Sequence, residues 1–244
     1  VGQIFQFAIA CGLVSSDPTT HLRGALKPRP RVKHMSRLPL TELPQFLLKL
    51  KKYEEEGDRR SAITRDAVTF ALLTWVRTKE IRFAVRSEFE DLDGKAPVWR
   101  IPAERMKMGR EHFVPLSKQA ATIAQRMIIA STGEFLFPGV APKKPLSENT
   151  MIYALYRLGY HSRQTVHGFR GLASTWANEQ LVEFGKPAMW IRRYHEDWVE
   201  MQLAHSEDNE VRGAYNAAEY LVPRRRMMQD WADFLADQEK IGLS

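Results

Sequence analysis

His167 and Arg170 stand three residues apart in the stretch Thr165-Val166-His167-Gly168-Phe169-Arg170. If a helix opens there, both lie on one face. A guanidinium fork beside an imidazole near a helix N-terminus suits an anion, because the fork binds two oxygens and the terminal amides add donors. The pair alone also fits a solvated helix surface. Arg77 follows an apolar run in Leu73-Thr74-Trp75-Val76-Arg77-Thr78-Lys79-Glu80, and Glu80 is spaced to hold its guanidinium. Read alone, that is a surface ion pair worth little. Lys107 lies in Glu104-Arg105-Met106-Lys107-Met108-Gly109-Arg110, where a flexible cation reaches across a cleft or merely aids solubility. His205 ends Leu203-Ala204-His205, and Tyr215 follows ten residues later in Arg212-Gly213-Ala214-Tyr215-Asn216. A lone tyrosine is usually a packing residue with its hydroxyl at the surface.

These residues need elements to position them. Residues 1–15 carry Ile4, Phe5, Ala8, Ile9 and Leu13 at helical spacing and read as the last helix of a preceding domain. Thr41 is the expected N-cap of a helix running to about Glu56 and stopped by Gly57, with Leu43, Phe46, Leu47 and Leu50 on its apolar face. A buried helix is expected from about Ser61 to Leu73. Two short strands, 98–101 and 112–115, flank the Lys107 connection, with Gly109 as the turn residue. Helices are expected at about 118–130, 148–158, 167–180, 188–193, 197–204, 207–214 and 223–236, with Ser117 and Ser147 as N-caps of the first two. The fold class is α+β, mostly α, with a small inserted antiparallel sheet. Met227, Trp231, Phe234 and Leu235 form a last apolar face that packs on its own domain or on a neighbouring protomer.

Composition narrows the partner. The 244 residues hold 36 Lys+Arg against 29 Asp+Glu, a net charge of +7. Six cations, Arg23, Lys27, Arg29, Arg31, Lys33 and Arg37, fall between Asp17 and Glu42 with no acidic residue among them. Pro28, Pro30 and Pro39 disfavour helix there, so the stretch reads as an extended basic linker, either solvated or laid along phosphates. With 44% hydrophobic and 27% charged residues, wholesale disorder is excluded. No apolar run reaches the roughly 20 residues of a membrane span. The single cysteine, Cys11, rules out a disulfide framework. His161, His167, His195 and His205 are dispersed without metal-ligand spacing, which disfavours a metal-dependent nuclease. The start Val1-Gly2-Gln3 suggests a piece of something longer.

The order Arg77, Lys107, His167-x-x-Arg170, His205, Tyr215 resembles the tyrosine recombinase, or phage integrase, family. Local words extend the likeness to its prophage and genomic-island branch: Pro145-Leu146-Ser147-Glu148-Asn149-Thr150, His167-Gly168-Phe169-Arg170, Gln202-Leu203-Ala204-His205 and Ala214-Tyr215-Asn216. The resemblance covers about 37–236, while 1–22 resembles the end of a core-DNA-binding domain. It implies a truncated core-binding segment at 1–22, a basic linker at 23–37, a helical DNA breaking-rejoining catalytic domain at 38–236 and a tail at 237–244. Two positions depart from the family: Trp75 and Lys79 stand where glycine is usual.

The resemblance implies site-specific recombination through a 3′-phosphotyrosine, without metal, ATP or cofactor. Tyr215 would be the nucleophile. Arg77, Arg170 and His205 would grip the phosphate, His167 would assist proton removal, Lys107 would protonate the leaving oxygen, and Glu80 would brace Arg77. Linker cations would follow the DNA backbone. Implied partners are double-stranded attachment sites, a homotetramer in the synapse and DNA-bending accessory proteins, with no membrane and a bacterial cytoplasmic location. Type IB topoisomerase-like relaxation and a non-catalytic DNA-binding module are the competing readings.

Overall fold

The computed structural model describes residues 1–22, 36–56, 61–141, 143–205 and 219–243. Two compact units divide the chain, Val1–His34 and Met35–Ser244. In the first, α1 (Gly2–Ala10) buries none of its residues, and the Asp17 carboxylate accepts from the Thr19 N–H at 2.8 Å ahead of a 3-10 turn, Thr20–Leu22.

The second unit is mostly helical and built around α3 (Ala62–Thr74). Ser61 caps it, its Oγ accepting from the Thr64 N–H at 3.2 Å, and nine of its thirteen residues are buried. A helix apolar on every side belongs in the centre of a core. It is packed by α5 (Lys118–Ala130), α6 (Thr150–Arg157), α7 (Gly168–Glu179) and α9 (Leu221–Leu243). The short α4 (Thr78–Arg82) follows it directly, α2 (Leu43–Lys51) lies along α9, and α8 (Glu196–Gln202) precedes His205.

The inserted sheet has three antiparallel strands in the order β1 (Phe89–Glu90), β2 (Val98–Ile101), β3 (His112–Pro115). Trp99 pairs with Val114 and Ile101 with His112, so alternate residues of β2 and β3 enter the core. Gly109 turns the connection at φ +62°. A mostly helical domain with a small inserted sheet is what the periodicity led one to expect. No helix among the described residues is long and apolar enough to cross a membrane.

Several local expectations are corrected. Residues 188–193 are not helical: Met189–Arg192 is β5, paired antiparallel with β4 (Leu181–Phe184) around a turn containing Gly185 at φ +80°. Every residue of this hairpin is exposed, so no in-out alternation marks it as strand. The helix expected from Thr41 is broken into a 3-10 turn, α2 and a second 3-10 turn, with Glu42 rather than Thr41 at the N-cap of α2. Asn149 rather than Ser147 caps α6, because the Ser147 carbonyl closes a preceding turn with Thr150. Residues 237–243 continue α9 instead of forming a separate tail. The helix expected at 207–214 and the stop at Gly57 lie outside the described residues.

The apolar face of α9 packs on its own domain. Met227, Trp231 and Leu235 are buried, Phe234 packs beside them, and the Trp231 indole donates to Leu72 O at 2.9 Å. Trp75 meets Trp231 edge-to-face at 6.1 Å and ends α3 in the left-handed conformation, φ +63°. Glycine is usual at such a cap because it carries no Cβ to clash. Here the fully buried indole offsets the strain. Trp75→Gly relieves about 1–2 kcal/mol of left-handed cost but forfeits about 3–5 kcal/mol of aromatic burial. Urea denaturation should therefore show a net loss of about 1–4 kcal/mol; a stabilised variant would contradict this balance.

Candidate active site

Two helices, α3 and α8, end at the same place, and both end on a non-glycine left-handed residue. At α3 this is Trp75; at α8 it is Ala204, φ +47°. The α8 ending is a Schellman motif, with the His205 N–H on Glu200 O at 3.1 Å and the Ala204 N–H on Met201 O at 3.1 Å. Such endings leave carbonyls without intrahelical donors. Arginines supply the donors here. Arg170 Nη1 donates to Trp75 O and its Nη2 to Leu203 O at 2.6 Å, while Arg77 Nη2 donates to Ala204 O at 3.0 Å. The negative ends of two helix dipoles thus face two guanidiniums.

Arg77 is the N-cap residue of α4, and Glu80 holds it twice. The carboxylate accepts from the Arg77 backbone N–H and, at 3.2 Å, from Nη1. Glu80 is buried, and its own backbone carbonyl accepts from Arg105, which also pairs with Glu88. Arg105 therefore ties the base of the Lys107 connection to the α4 turn. Lys107 itself is exposed and forms no hydrogen bond or ion pair among the described residues.

Arg170 is 4% exposed, on the first turn of α7. Burial, then the Arg77 charge, lower its pKa to about 10, with Glu80 and Glu200 opposing, so it remains cationic at neutral pH. Its buried Nε has no partner among the described residues. That unspent donor and the remaining N–H groups of Arg77 form the start of an anion site.

His205 lies 3.2 Å by Nε2 from Arg170 Nη2 and 2.7 Å by Nδ1 from Glu200 Oε2. A guanidinium only donates, so Nε2 accepts and Nδ1 carries the proton to Glu200. His167 is the exposed N-cap residue of α7. Partial burial, then the charges of Arg170, Arg77 and His205, push its pKa down, so the neutral imidazole is favoured. The turn before it is locked by the Gly168 N–H on Thr165 Oγ1 at 2.9 Å. Gly168 is required there, since a Cβ would fall 2.5 Å from Ser36 O.

The structure thus brings Arg77, Glu80, His167, Arg170 and His205 together and leaves Lys107 exposed. Arg37, expected to follow DNA, donates to Gly171 O at 3.0 Å on α7. Tyr215 lies outside the described residues, as do Arg23, Lys27, Arg29, Arg31 and Lys33. Among the described residues no three His, Cys, Asp or Glu side chains are grouped as metal ligands.

Three buried polar residues beside the site were given no role from the sequence, although Gln202 stands in one of its local words. Arg224, in α9, is wholly buried; Gln202, also wholly buried, accepts from it and donates to Thr74 O at 2.9 Å. His112, in β3, hydrogen-bonds the Gln202 backbone and has no partner for its buried Nε2 among the described residues. Periodicity could have found two of them: Arg224 shares the α9 stripe with Met227, Met228, Trp231 and Leu235, and His112 alternates with Val114. Burial, followed by Arg224, Arg170 and Arg77, pushes the His112 pKa down to about 3. Below an unfolded value of about 6.5 the unfolded chain takes up a proton that the folded chain refuses until about pH 3. His112 stability is fully present above that window and is lost as pH falls through it. His112→Gln should flatten the slope of unfolding free energy by up to about 1.4 kcal/mol per pH unit between those limits; an unchanged slope would contradict a neutral, buried His112.

Comparison with known proteins gives the chain relatives. Residues 37–221 match the sequence profile described as the phage integrase family. Prophage integrase IntZ of Escherichia coli strain K12 is 40% identical over 234 residues, covering 96% of this chain and 53% of that protein. The integrase of Enterobacteria phage P4 is 38% identical over 252 residues, with coverages of 96% and 53%. The chain spans about half the length of these relatives. Among solved structures, a lambda integrase dimer bound to a COC′ core site shares the fold with a TM-score of 0.58 at 18% identity, over 85% of this chain and 70% of that one. The Tn1549 transposon integrase in complex with circular intermediate DNA gives 0.55 at 15% identity, over 93% and 75%.

Proposed function

We infer the reaction from one premise: this chain belongs to the phage integrase family. The activity is site-specific DNA recombination, the integration or excision of a mobile element, by strand cleavage through a 3′-phosphotyrosine and rejoining. One observation carries this reading. Arg77 and Arg170, held on the carbonyls of Ala204 and Leu203, flank His205, and among the described residues Arg170 Nε keeps an unspent donor while the Arg77 side chain stays partly exposed.

Arg77 and Arg170 take the non-bridging oxygens of one scissile phosphate, and two planar forks suit that task. His205 donates to the same oxygens once its Nε2 gives up the Arg170 bond and takes a proton from solvent, while Nδ1 stays on Glu200. Donors set in advance around the phosphate stabilise the charge of the pentacoordinate transition state. The Tyr215 hydroxyl oxygen attacks phosphorus, the bond to the 5′-oxygen breaks, and a 5′-hydroxyl departs. A phenol, with an ordinary pKa near 10, must lose its proton on the way. His167, favoured as the neutral imidazole, accepts it. Lys107 supplies a proton to the 5′-oxygen as general acid from its exposed connection. The phosphodiester energy is retained in the adduct, so rejoining needs neither ATP nor metal.

Double-stranded attachment sites are the partners, with a homotetrameric synapse and DNA-bending accessory proteins, in the bacterial cytoplasm. Residues 1–22 belong to a core-DNA-binding domain, 23–37 form the linker along the phosphates, and residues from 38 onward form the catalytic domain.

The protein expressed from its complete reading frame, incubated in EDTA with a nicked duplex carrying its core site, is expected to give a covalent protein–DNA band. Tyr215→Phe should abolish that band. No band from the unmodified protein overturns the reaction, and a band surviving in Tyr215→Phe overturns the nucleophile. Replacing Arg23, Lys27, Arg29, Arg31, Lys33 and Arg37 by Gln should reduce the slope of log affinity against log salt by about 0.9 for each phosphate no longer neutralised. An unchanged slope would show that the linker does not touch phosphates.

A further inference from the structure

Arg224 is the most deeply buried cation described, fully enclosed on the first turn of α9. Among the described residues every hydrogen bond its side chain makes goes to a neutral acceptor. Nη2 donates to Phe113 O at 2.6 Å and to Gln202 Oε1 at 2.9 Å, Nε donates to Gln202 Oε1 at 3.2 Å, and Nη1 donates to Glu219 O at 2.9 Å. The Glu219 carboxylate stays at 3.8 Å, beyond hydrogen-bond distance. Among the described residues a guanidinium in this place loses its hydration with only the loose Glu219 ion pair in return, which makes it a weak device for stability alone. Its bonds instead join three places in the chain: β3, the end of α8 and residue 219.

Residue 219 is where the described chain resumes after the stretch that carries Tyr215. Tyr215 stands four positions earlier, and four extended steps span at most about 14 Å. The upstream flank of the same stretch is held by Arg170, through Leu203 O and His205. Both anchors lead to one helix end. Arg170 bonds Trp75 O, and Gln202, gripped by Arg224, donates to the adjacent Thr74 O at 2.9 Å. The C-terminus of α3 is therefore a common reference for the phosphate-binding arginine and for the point from which Tyr215 is tethered.

We propose that Arg224, acting through Gln202, is a positioning residue for the nucleophile: it registers the C-terminal flank of the Tyr215 stretch against the helix end that holds Arg170. The inference rests on the recombinase reading, with Tyr215 as the nucleophile acting on the phosphate bound by its own chain. Arg224 acts through Gln202 and the Glu219 carbonyl rather than on a reacting atom. Its contribution is to keep the phenol within reach of in-line attack, where a misplacement of about 1 Å costs roughly 100-fold in rate.

The test is single-turnover cleavage of the nicked duplex at saturating DNA, scoring the rate and the amplitude of adduct formation separately. Arg224→Gln is expected to lower the first-order rate about 100-fold, with DNA affinity and amplitude within about twofold of the unmodified protein. Arg224→Lys, which keeps a cation at the junction, should recover about tenfold of that loss. Gln202→Glu keeps an acceptor for Arg224 but removes the donor to Thr74, so it should slow the rate with Arg224 still native. A duplex with a sulfur-substituted 5′ leaving group, which needs no protonation, should leave the Arg224→Gln defect in place.

Amplitude lost at an unchanged rate would reduce Arg224 to a folding residue and overturn the proposal. So would affinity falling in step with the rate, or recovery on the sulfur leaving group. Failure of the underlying reading looks different: the unmodified protein forms no adduct, or Tyr215→Phe retains it, and either result overturns both.

Discussion

The site depends on the carbonyl groups that two helices cannot satisfy themselves. α3 and α8 converge, and each stops on a left-handed residue that turns its last carbonyls outward. A carbonyl left unpaired in a protein interior costs about 1–3 kcal/mol, so donors are required. Arg170 and Arg77 provide them and are oriented by doing so. Two like charges would otherwise repel. The helix dipoles, Glu80 and Glu200 make their proximity tolerable, and burial lowers the Arg170 pKa only to about 10. A cationic pair assembled in advance needs little rearrangement when an anion arrives, which is the condition for electrostatic catalysis.

The same constraint explains why two unusual residues stand at the helix ends. Trp75 and Ala204 adopt backbone angles that favour glycine. Trp75 is kept there by its burial against Trp231. The C-terminal helix thereby reaches the helix ends that hold Arg77 and Arg170 by two routes, the packing of Trp231 on Trp75 and the Arg224 bond to Gln202. Stability and site geometry share these interactions, so substitutions in α9 act on both.

Much of this was legible in the residues. The order of Arg77, His167, Arg170 and His205 identified the groups that meet, and strong periodicity placed α5 and the β2–β3 pair. Ser117 caps α5 as its place before an apolar period predicts. The β4–β5 hairpin was not legible, since the short apolar run Met189-Trp190-Ile191 fits a helix segment or a strand equally. Nor were the acceptors of Arg77 and Arg170, because main-chain carbonyls leave no trace in residue type. Trp75 was readable as a departure from glycine, but a sequence does not show that the reason is a positive φ rather than a close backbone approach. Arg224 was hidden among Arg224-Arg225-Arg226, where only the phase of the helix separates the buried cation from its neighbours.

The central claim is that Arg77 and Arg170 converge on one phosphate while still bonded to the helix-end carbonyls. A structure of the covalent complex on a nicked core-site duplex tests it most directly. The expected result has the phosphorus joined to Tyr215, with both guanidiniums on its non-bridging oxygens and the bonds to Leu203 O and Ala204 O intact. A phosphate bound away from this pair, or linked to another residue, would contradict the account.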